Sequence, residues 1–186
     1  MTAGPITLDT PNYVLRTLSE RDVSEMWTHW LADAETARLL NAKPRAFSLD
    51  ELRAYVASFD SKTRFLFGIF DKQTSALVGL RSIYVDTGRR EFLDNVLIGP
   101  LEARGKQARH ESSSAVWRYF FETRDLVRAR GTILAENKHM LAVATRRGWV
   151  HERTSHVPSA TGAGLVEVHH VVLDRDTWRR LHGDAV

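Results

Sequence analysis

Cysteine is absent from the 186 residues, which excludes disulfides, thiolate metal sites and a cysteine nucleophile. No apolar run approaches the roughly 20 residues that a membrane-spanning helix requires, so no membrane partner is expected. The N-terminus, MTAGPITLDTPNY, has neither a basic stretch nor an apolar core, so no secretion signal is expected and a cytoplasmic location is assigned. Repeats, low-complexity stretches and linkers are missing too. One domain is therefore expected over residues 12–178, with loose ends at 1–11 and 179–186. An excess of one charge is also lacking: the net charge is +3, and no Lys/Arg block interleaves with aromatics. That small surplus suits a polyanionic small ligand and leaves nucleic acid out of the expected partners.

What is present is a soluble globular composition, 43% hydrophobic and 26% charged, in a chain long enough for a hydrophobic core. Tyr13 to Leu18 alternates like a first strand. Ser19 and Asp22 have capping-box spacing ahead of a helical face formed by Val23, Met26, Trp27, Trp30 and Leu31. A short helix is expected through AETARLL. Ser48 and Glu51 repeat the box before a stripe of Leu52, Tyr55, Val56 and Phe59. The period then changes. Three strands, Arg64 to Phe70, Ala76 to Val85 and Glu91 to Ile98, are separated by the turn signals DKQTS and DTGRR and make an antiparallel meander.

After the meander comes IGPLEARGKQARHE, a basic turn with few glycines. It leads into a helix whose core face is Val116, Trp117, Phe120 and Phe121. VRARGTIL reads as a strand. NKHMLAVATRR reads as a helix closed by Gly148, with Arg146 and Arg147 in the last turn, where the dipole favours cations. GWVHERTSHV and LVEVHHVVL form a last strand pair, on which His169 and His170 face opposite sides. The fold class is mixed α/β (α+β), with a mostly antiparallel sheet of six or seven strands flanked by helices.

This order of elements, together with GPLEARGKQARHE, AENKHMLAVATRRGW and the opening LRTLSERDVSEMWTHWLADAETARLL, resembles the GNAT superfamily of N-acetyltransferases. The opening is similar to the branch that holds ribosomal-protein N-terminal and amino-sugar acetyltransferases. The resemblance implies a sheet splayed between its fourth and fifth strands, and acetyl-CoA as co-substrate, with no metal. It implies that Val96, Leu97 and Ile98 offer backbone groups to the pantetheine arm. It further implies that the turn amides of Arg104, Gly105, Lys106, Gln107, Ala108, Arg109 and His110 hold the diphosphate, and that Asn137 contacts the arm. Gln107 and Arg109 stand where the family has glycine or alanine, and Ala144 stands where many members have a tyrosine that protonates the leaving thiolate.

Gln107 can serve if its φ is near a helical value, because helix N-terminal amides bind phosphate whatever their side chains. Arg109 must swing clear of the diphosphate or pair with it. Acyl transfer to an amine needs a deprotonated nitrogen, a held carbonyl, oxyanion donors and a departing thiolate. On the fourth strand, Asp94 and then Glu91 are the candidate bases, and the Leu97 N–H is the oxyanion donor by family analogy. Trp27 and Trp30 are core residues or walls of an acceptor site; His169 and His170 are packed or exposed residues of the last strand, the alternative being that one of them looks into that site. The expected function is acyl-CoA-dependent transfer of an acetyl group to a peptide N-terminus, amino sugar or small amine, in a monomer or homodimer. The alternative is a non-catalytic module with a degenerate coenzyme loop.

Overall fold

The computed structural model describes residues 5–99, 107–162 and 164–182. Among them, eight strands form one sheet: β1 (Thr7–Asp9), β2 (Tyr13–Thr17), β3 (Arg64–Asp71), β4 (Leu77–Asp86), β5 (Glu91–Ile98), β6 (Arg128–Leu134), β7 (Val150–Pro158) and β8 (Leu165–Asp174). Their spatial order is β1-β2-β3-β4-β5-β6-β8-β7. Every neighbouring pair is antiparallel except β5 and β6, which run parallel. The strand beyond the expected six or seven is β1. Three residues are too few to show a period, and β1 exists because Leu8 and its neighbours pair with β2.

Three helices precede the meander: α1 (Glu25–Ala32), α2 (Ala34–Leu39) and α3 (Leu49–Ala57). The capping box at α3 forms as its sequence predicts: the Glu51 N–H donates to Ser48 Oγ at 3.2 Å and the Ser48 N–H to Glu51 Oε2 at 2.8 Å. The earlier box forms as well, with the Ser19 N–H donating to Asp22 Oδ2 at 2.8 Å, but it caps a shorter element. Asp22 closes a 3₁₀ turn over Glu20–Asp22 and takes both guanidinium arms of Arg16 at 3.0 and 2.6 Å, so α1 begins only after Ser24.

The later helices are α4 (Ala108–Arg118), which runs into a π turn over Tyr119–Thr123, then α5 (Lys138–Arg146) and α6 (Arg175–His182). On α4 and the π turn, Ala108, Ser112, Ser113, Val116, Trp117, Phe120 and Phe121 are buried, the helical stripe that drives the element onto the sheet. α5 ends in a left-handed cap: Gly148 has φ +85°, and the Trp149 N–H donates to the Ala144 carbonyl at 3.1 Å. The end of α6 falls in the segment expected to be loose; Trp178, 2% exposed, holds that helix down. No described helix is long and apolar enough to cross a membrane.

Two cores sandwich the sheet. One packs Phe65, Phe67, Phe92 and Ile98 against α4, the π turn and α6 through Val116, Phe120, Phe121 and Trp178. The other packs Leu66, Leu77 and Leu80 under Trp27, Trp30, Leu52 and Val56 of α1 and α3. The alternation along β3, β4 and β5 sends successive side chains to opposite cores, so each strand touches both faces of whatever is built between them. Gly99 ends β5 beneath Trp30: a Cβ there would stand 2.0 Å from the indole, so the strand end and the α1 aromatic share space that only glycine leaves.

Candidate functional site

The parallel pair β5–β6 is joined only at its start, where Glu91, Phe92 and Leu93 lie beside Arg128, Ala129 and Arg130. From Asp94 on β5 and Gly131 on β6 the strands part. A cavity of about 240 Å³ opens between them, bounded also by α4 and α5. Trp117 of α4 and Trp149 line it, their rings edge to face with centroids 5.5 Å apart. Gly131 lets Trp149 lie close to β6, since a Cβ there would come within 3.3 Å of the indole.

The direction of each backbone group on β5 follows from two hydrogen bonds. The Arg90 carbonyl accepts the Val127 N–H at 2.8 Å, so Arg90 faces β6; the Gly99 N–H donates to the Val78 carbonyl at 3.0 Å, so Gly99 faces β4. The β4–β5 register is unbroken between these points. Alternation therefore turns the N–H and C=O of Val96 toward the wedge and those of Leu97 toward its partner Leu80 on β4. The oxyanion donor expected at Leu97 faces the wrong strand, and Val96 holds the position one residue earlier that faces the open space. Ile98 lines the wedge, with its side chain buried in the core on the α4 side.

Both candidate bases are committed to other groups. Asp94 lies in the wedge wall, but its carboxylate is 4% exposed and ion-paired with Arg81, itself 1% exposed. The Arg81 Nε–H donates to Asp94 Oδ1 at 3.2 Å, and Trp117 Nε1–H donates to Asp94 Oδ2 at 2.7 Å. Arg81 also donates to Ser112 and Ser113 Oγ at 3.1 and 2.9 Å, which explains two serines inside the apolar stripe of α4. Three further polar groups, Ser112, Ser113 and Trp117, thus satisfy a charge pair placed where β5 leaves β6. Glu91 sits at the closed end, bridged to Arg130 at 3.1 Å and Arg128 at 3.7 Å.

Arg104, Gly105 and Lys106 lie outside the described residues. Gln107 is the N-cap of α4 with φ −68°, a value any residue adopts, so the missing glycine costs nothing there. The Ala108 side chain is fully buried in the core, which fixes the start of the helix. Arg109 reaches across the wedge to the Met140 sulfur on α5. His110 is held below the ordinary histidine pKa by burial and by Arg147 and His182, so it adds no charge at neutral pH. Glu111 faces the other way and ties the β1–β2 turn through Thr10 at 2.7 Å and Asn12 at 2.9 Å.

Across the wedge, Asn137 is the N-cap of α5: its Oδ1 accepts the Met140 N–H at 3.1 Å, and the residue lines the cavity. Met140, Ala144 and Arg147 follow at three- and four-residue spacing on the same lining face. Arg147 stacks on Trp117, with Cζ 4.4 Å from the ring centroid, and donates to Ser114 Oγ at 3.1 Å. Its Nε is buried without a hydrogen-bond partner among the described residues. Burial, with Arg81 adding to it and Asp94 opposing, brings the Arg147 pKa down to about 10, so the side chain stays charged at neutral pH. Arg81 and Arg147 against Asp94 leave this end of the wedge positive.

A second cavity, of about 360 Å³, lies on the opposite face of the sheet under α1 and α3. Trp27 belongs both to that core and to its lining, whereas Trp30 packs over Gly99 outside it. Neither His169 nor His170 lines either cavity; they are paired with Glu167 at 3.1 Å and Ser155 at 2.7 Å. The two cavities share Leu40, Asn95, Val96 and Leu97. They meet where β5 has no neighbour on the β6 side. Arg81 and Asn95 do not stand out in the sequence, although Asn95 is a polar residue in the otherwise apolar run NVLI, and Arg147 reads there only as a cation suited to the helix dipole.

An Asn137→Ala variant is expected to lose about 1 kcal/mol of stability from the cap. It should also bind coenzyme A more weakly, which isothermal calorimetry would measure against the parent protein.

Comparison with known proteins gives these features a context. A family model described as an acetyltransferase (GNAT) domain matches residues 12–150. No curated protein matches the chain. Among solved structures, the spermidine N-acetyltransferase of Vibrio cholerae, in complex with CoA and spermine, is similar at a TM-score of 0.77 and 19% identity, covering 91% of this chain and 99% of that one. The ribosomal-protein-S5-alanine acetyltransferase of Vibrio fischeri is similar at 0.76 and 13% identity, covering 93% and 98%. A GNAT-family acetyltransferase of Bacillus anthracis gives 0.76 and 16%, covering 92% and 99%. At these identities the structures establish the fold. The family match runs from the start of β2 to the start of β7, and the chain belongs to the GNAT acetyltransferase family.

Proposed function

We propose that this protein transfers an acyl group, acetyl in the first instance, from coenzyme A to a primary amine by direct attack in a ternary complex. The observation that carries this reading is the meeting of two cavities, one from each face of the sheet, at Asn95, Val96 and Leu97. A donor entering by the wedge and an acceptor entering under α1 and α3 would touch only there, which is the proximity that a bimolecular transfer requires.

The wedge fits an acyl-CoA in three respects. The Val96 N–H and C=O face it as an unfilled strand position would, Asn137 lines the facing helix, and the α4 N-terminus stands at its mouth with a helix-compatible Gln107. Bound there, the coenzyme would supply the activated acyl thioester. Arg109 then leaves Met140 and pairs with the diphosphate, a charge-assisted contact that replaces the close approach a glycine would give. Val96 donates its N–H on the reacting side of β5. Arg147 lies one turn beyond Ala144, and its guanidinium supplies positive charge to a departing thiolate in place of a tyrosine proton. Asp94 and Glu91 position arginines in this scheme and take no proton from the amine.

Arg109 lying across the wedge also favours a second reading, a binding module whose mouth is shut. Acetyl-, propionyl- and succinyl-CoA assayed against a panel of amines, with free thiol as the readout, separate the two. Thiol release that needs both partners is the expected result. Absence of release, together with no rise in melting temperature on adding coenzyme A, would support the closed module.

A further inference from the structure

We infer that the acceptor cavity takes a monoamine carried on an uncharged apolar body, an aryl- or alkylamine, in preference to a polyamine or a peptide N-terminus. This rests on the acyltransferase reading above and goes beyond it by assigning the acceptor. The walls are Trp27, Phe47, Leu52, Leu66 and Leu80, drawn from α1, α3, β3, β4 and the segment before α3. Three of them, Trp27, Leu52 and Leu66, are no more than 2% exposed, so the lining is fixed by the core and does not rearrange cheaply.

Charge points the same way. Glu51 is the one carboxylate among the described residues that line this cavity. It is already engaged by the Ser48 N–H at 2.8 Å and by Arg45 at 3.1 Å. A polyamine would bring several ammonium groups into a space with no uncommitted negative charge and with the Arg45 cation at its rim. Arg45 lies over Phe47, Cζ 3.8 Å from the ring centroid, so the cation is part of the wall. A peptide would also need partners for its backbone groups. The polar groups near the junction are Ser82 and Asn95, which are direct cross-strand partners and both neutral, and the Tyr55 phenol, which burial pushes up to about 12 and which is therefore neutral as well. One amine nitrogen, with one or two hydrogen bonds, is what that floor can satisfy.

The same lining answers how the nitrogen loses its proton where both nearby strand carboxylates are committed. An ammonium placed among apolar walls and beside Arg45 is disfavoured relative to the neutral amine on both counts, desolvation and like charge. The first proton leaves to water on entry. The lone pair then forms the C–N bond, the C–S bond breaks to release the thiolate, and the second proton of the nitrogen passes to that thiolate or to water, leaving the amide and free coenzyme A.

The test is calorimetric binding of 2-phenylethylamine, spermidine and an alanine-led tripeptide to the protein saturated with coenzyme A, with coenzyme A affinity measured separately. The expected result is that phenylethylamine binds at least about tenfold more tightly than either competitor. Arg45→Glu and Tyr55→Glu, each checked for an intact fold by circular dichroism, should each raise spermidine affinity by about tenfold and lower that of phenylethylamine. Spermidine or the peptide binding as tightly as phenylethylamine would overturn the inference, and so would the absence of phenylethylamine binding at millimolar concentration. In either event, retained coenzyme A binding with thiol release on other amines would leave the transferase reading standing. Failure to bind coenzyme A would remove that reading instead.

Discussion

Truncating Asp94 to alanine is expected to destabilise the protein by about 3–5 kcal/mol in urea unfolding, more than any other single change at the wedge. Removal of the carboxylate leaves the Arg81 guanidinium buried, 1% exposed, with only Ser112 and Ser113 as partners, and leaves the Trp117 Nε1–H without its acceptor. An uncompensated charge at that depth costs more than the pair itself contributes, so replacing both members with apolar residues should recover much of the loss. A double variant, Arg81→Met with Asp94→Leu, provides that comparison. Asp94→Asn separates the structural role from a catalytic one. If Asp94 positions Arg81 and Trp117, the variant should lower the rate of thiol release by a similar factor across the pH range. A loss confined to low pH would return Asp94 to the role of base.

A proline at Val96 is expected to abolish measurable coenzyme A binding while leaving the fold intact, whereas a proline at Leu97 should unfold or severely weaken the sheet. Proline removes one N–H and fixes φ near −65°. At Val96 the lost N–H faces the wedge, where β6 has already departed, so no ladder bond between β4 and β5 is broken. At Leu97 the lost N–H is the one turned to Leu80, in the middle of the sheet. Two adjacent residues, identical in burial pattern to a casual inspection, should therefore give opposite phenotypes. Circular dichroism melting and calorimetry on both variants read the difference. Equal loss of stability in the two would contradict the assigned parity of β5.

Much of the fold was legible because long periodic segments report their own partners. The Ser48–Glu51 box, the Val116 to Phe121 stripe and Gly148 after α5 each carry a local signal, and each stands where that signal places it. The site was legible only as far as a resemblance to a family could carry it. A one-residue shift in parity separates Val96 from Leu97, and nothing in FLDNVLI sets which of them faces the neighbouring strand; hydrogen bonds at both ends of β5 do. The Arg81–Asp94 pair was hidden for another reason. The residues are thirteen apart in sequence and become diagonal neighbours only once the hairpin register Arg81↔Val96 and Ile83↔Asp94 is known. Arg147 looked like a cation placed for the helix dipole. Its spacing from Met140 and Ala144 already put it on the face that lines the wedge, and that spacing was the available sign.

The account rests on the Val96 peptide group receiving the coenzyme arm, and residue-resolved amide hydrogen exchange tests this most directly. On saturation with coenzyme A, exchange at the Val96 amide should slow by at least about tenfold, while Leu97, already bonded within the sheet, should change little. Unchanged exchange at Val96 in protein shown to be saturated with coenzyme A would contradict it.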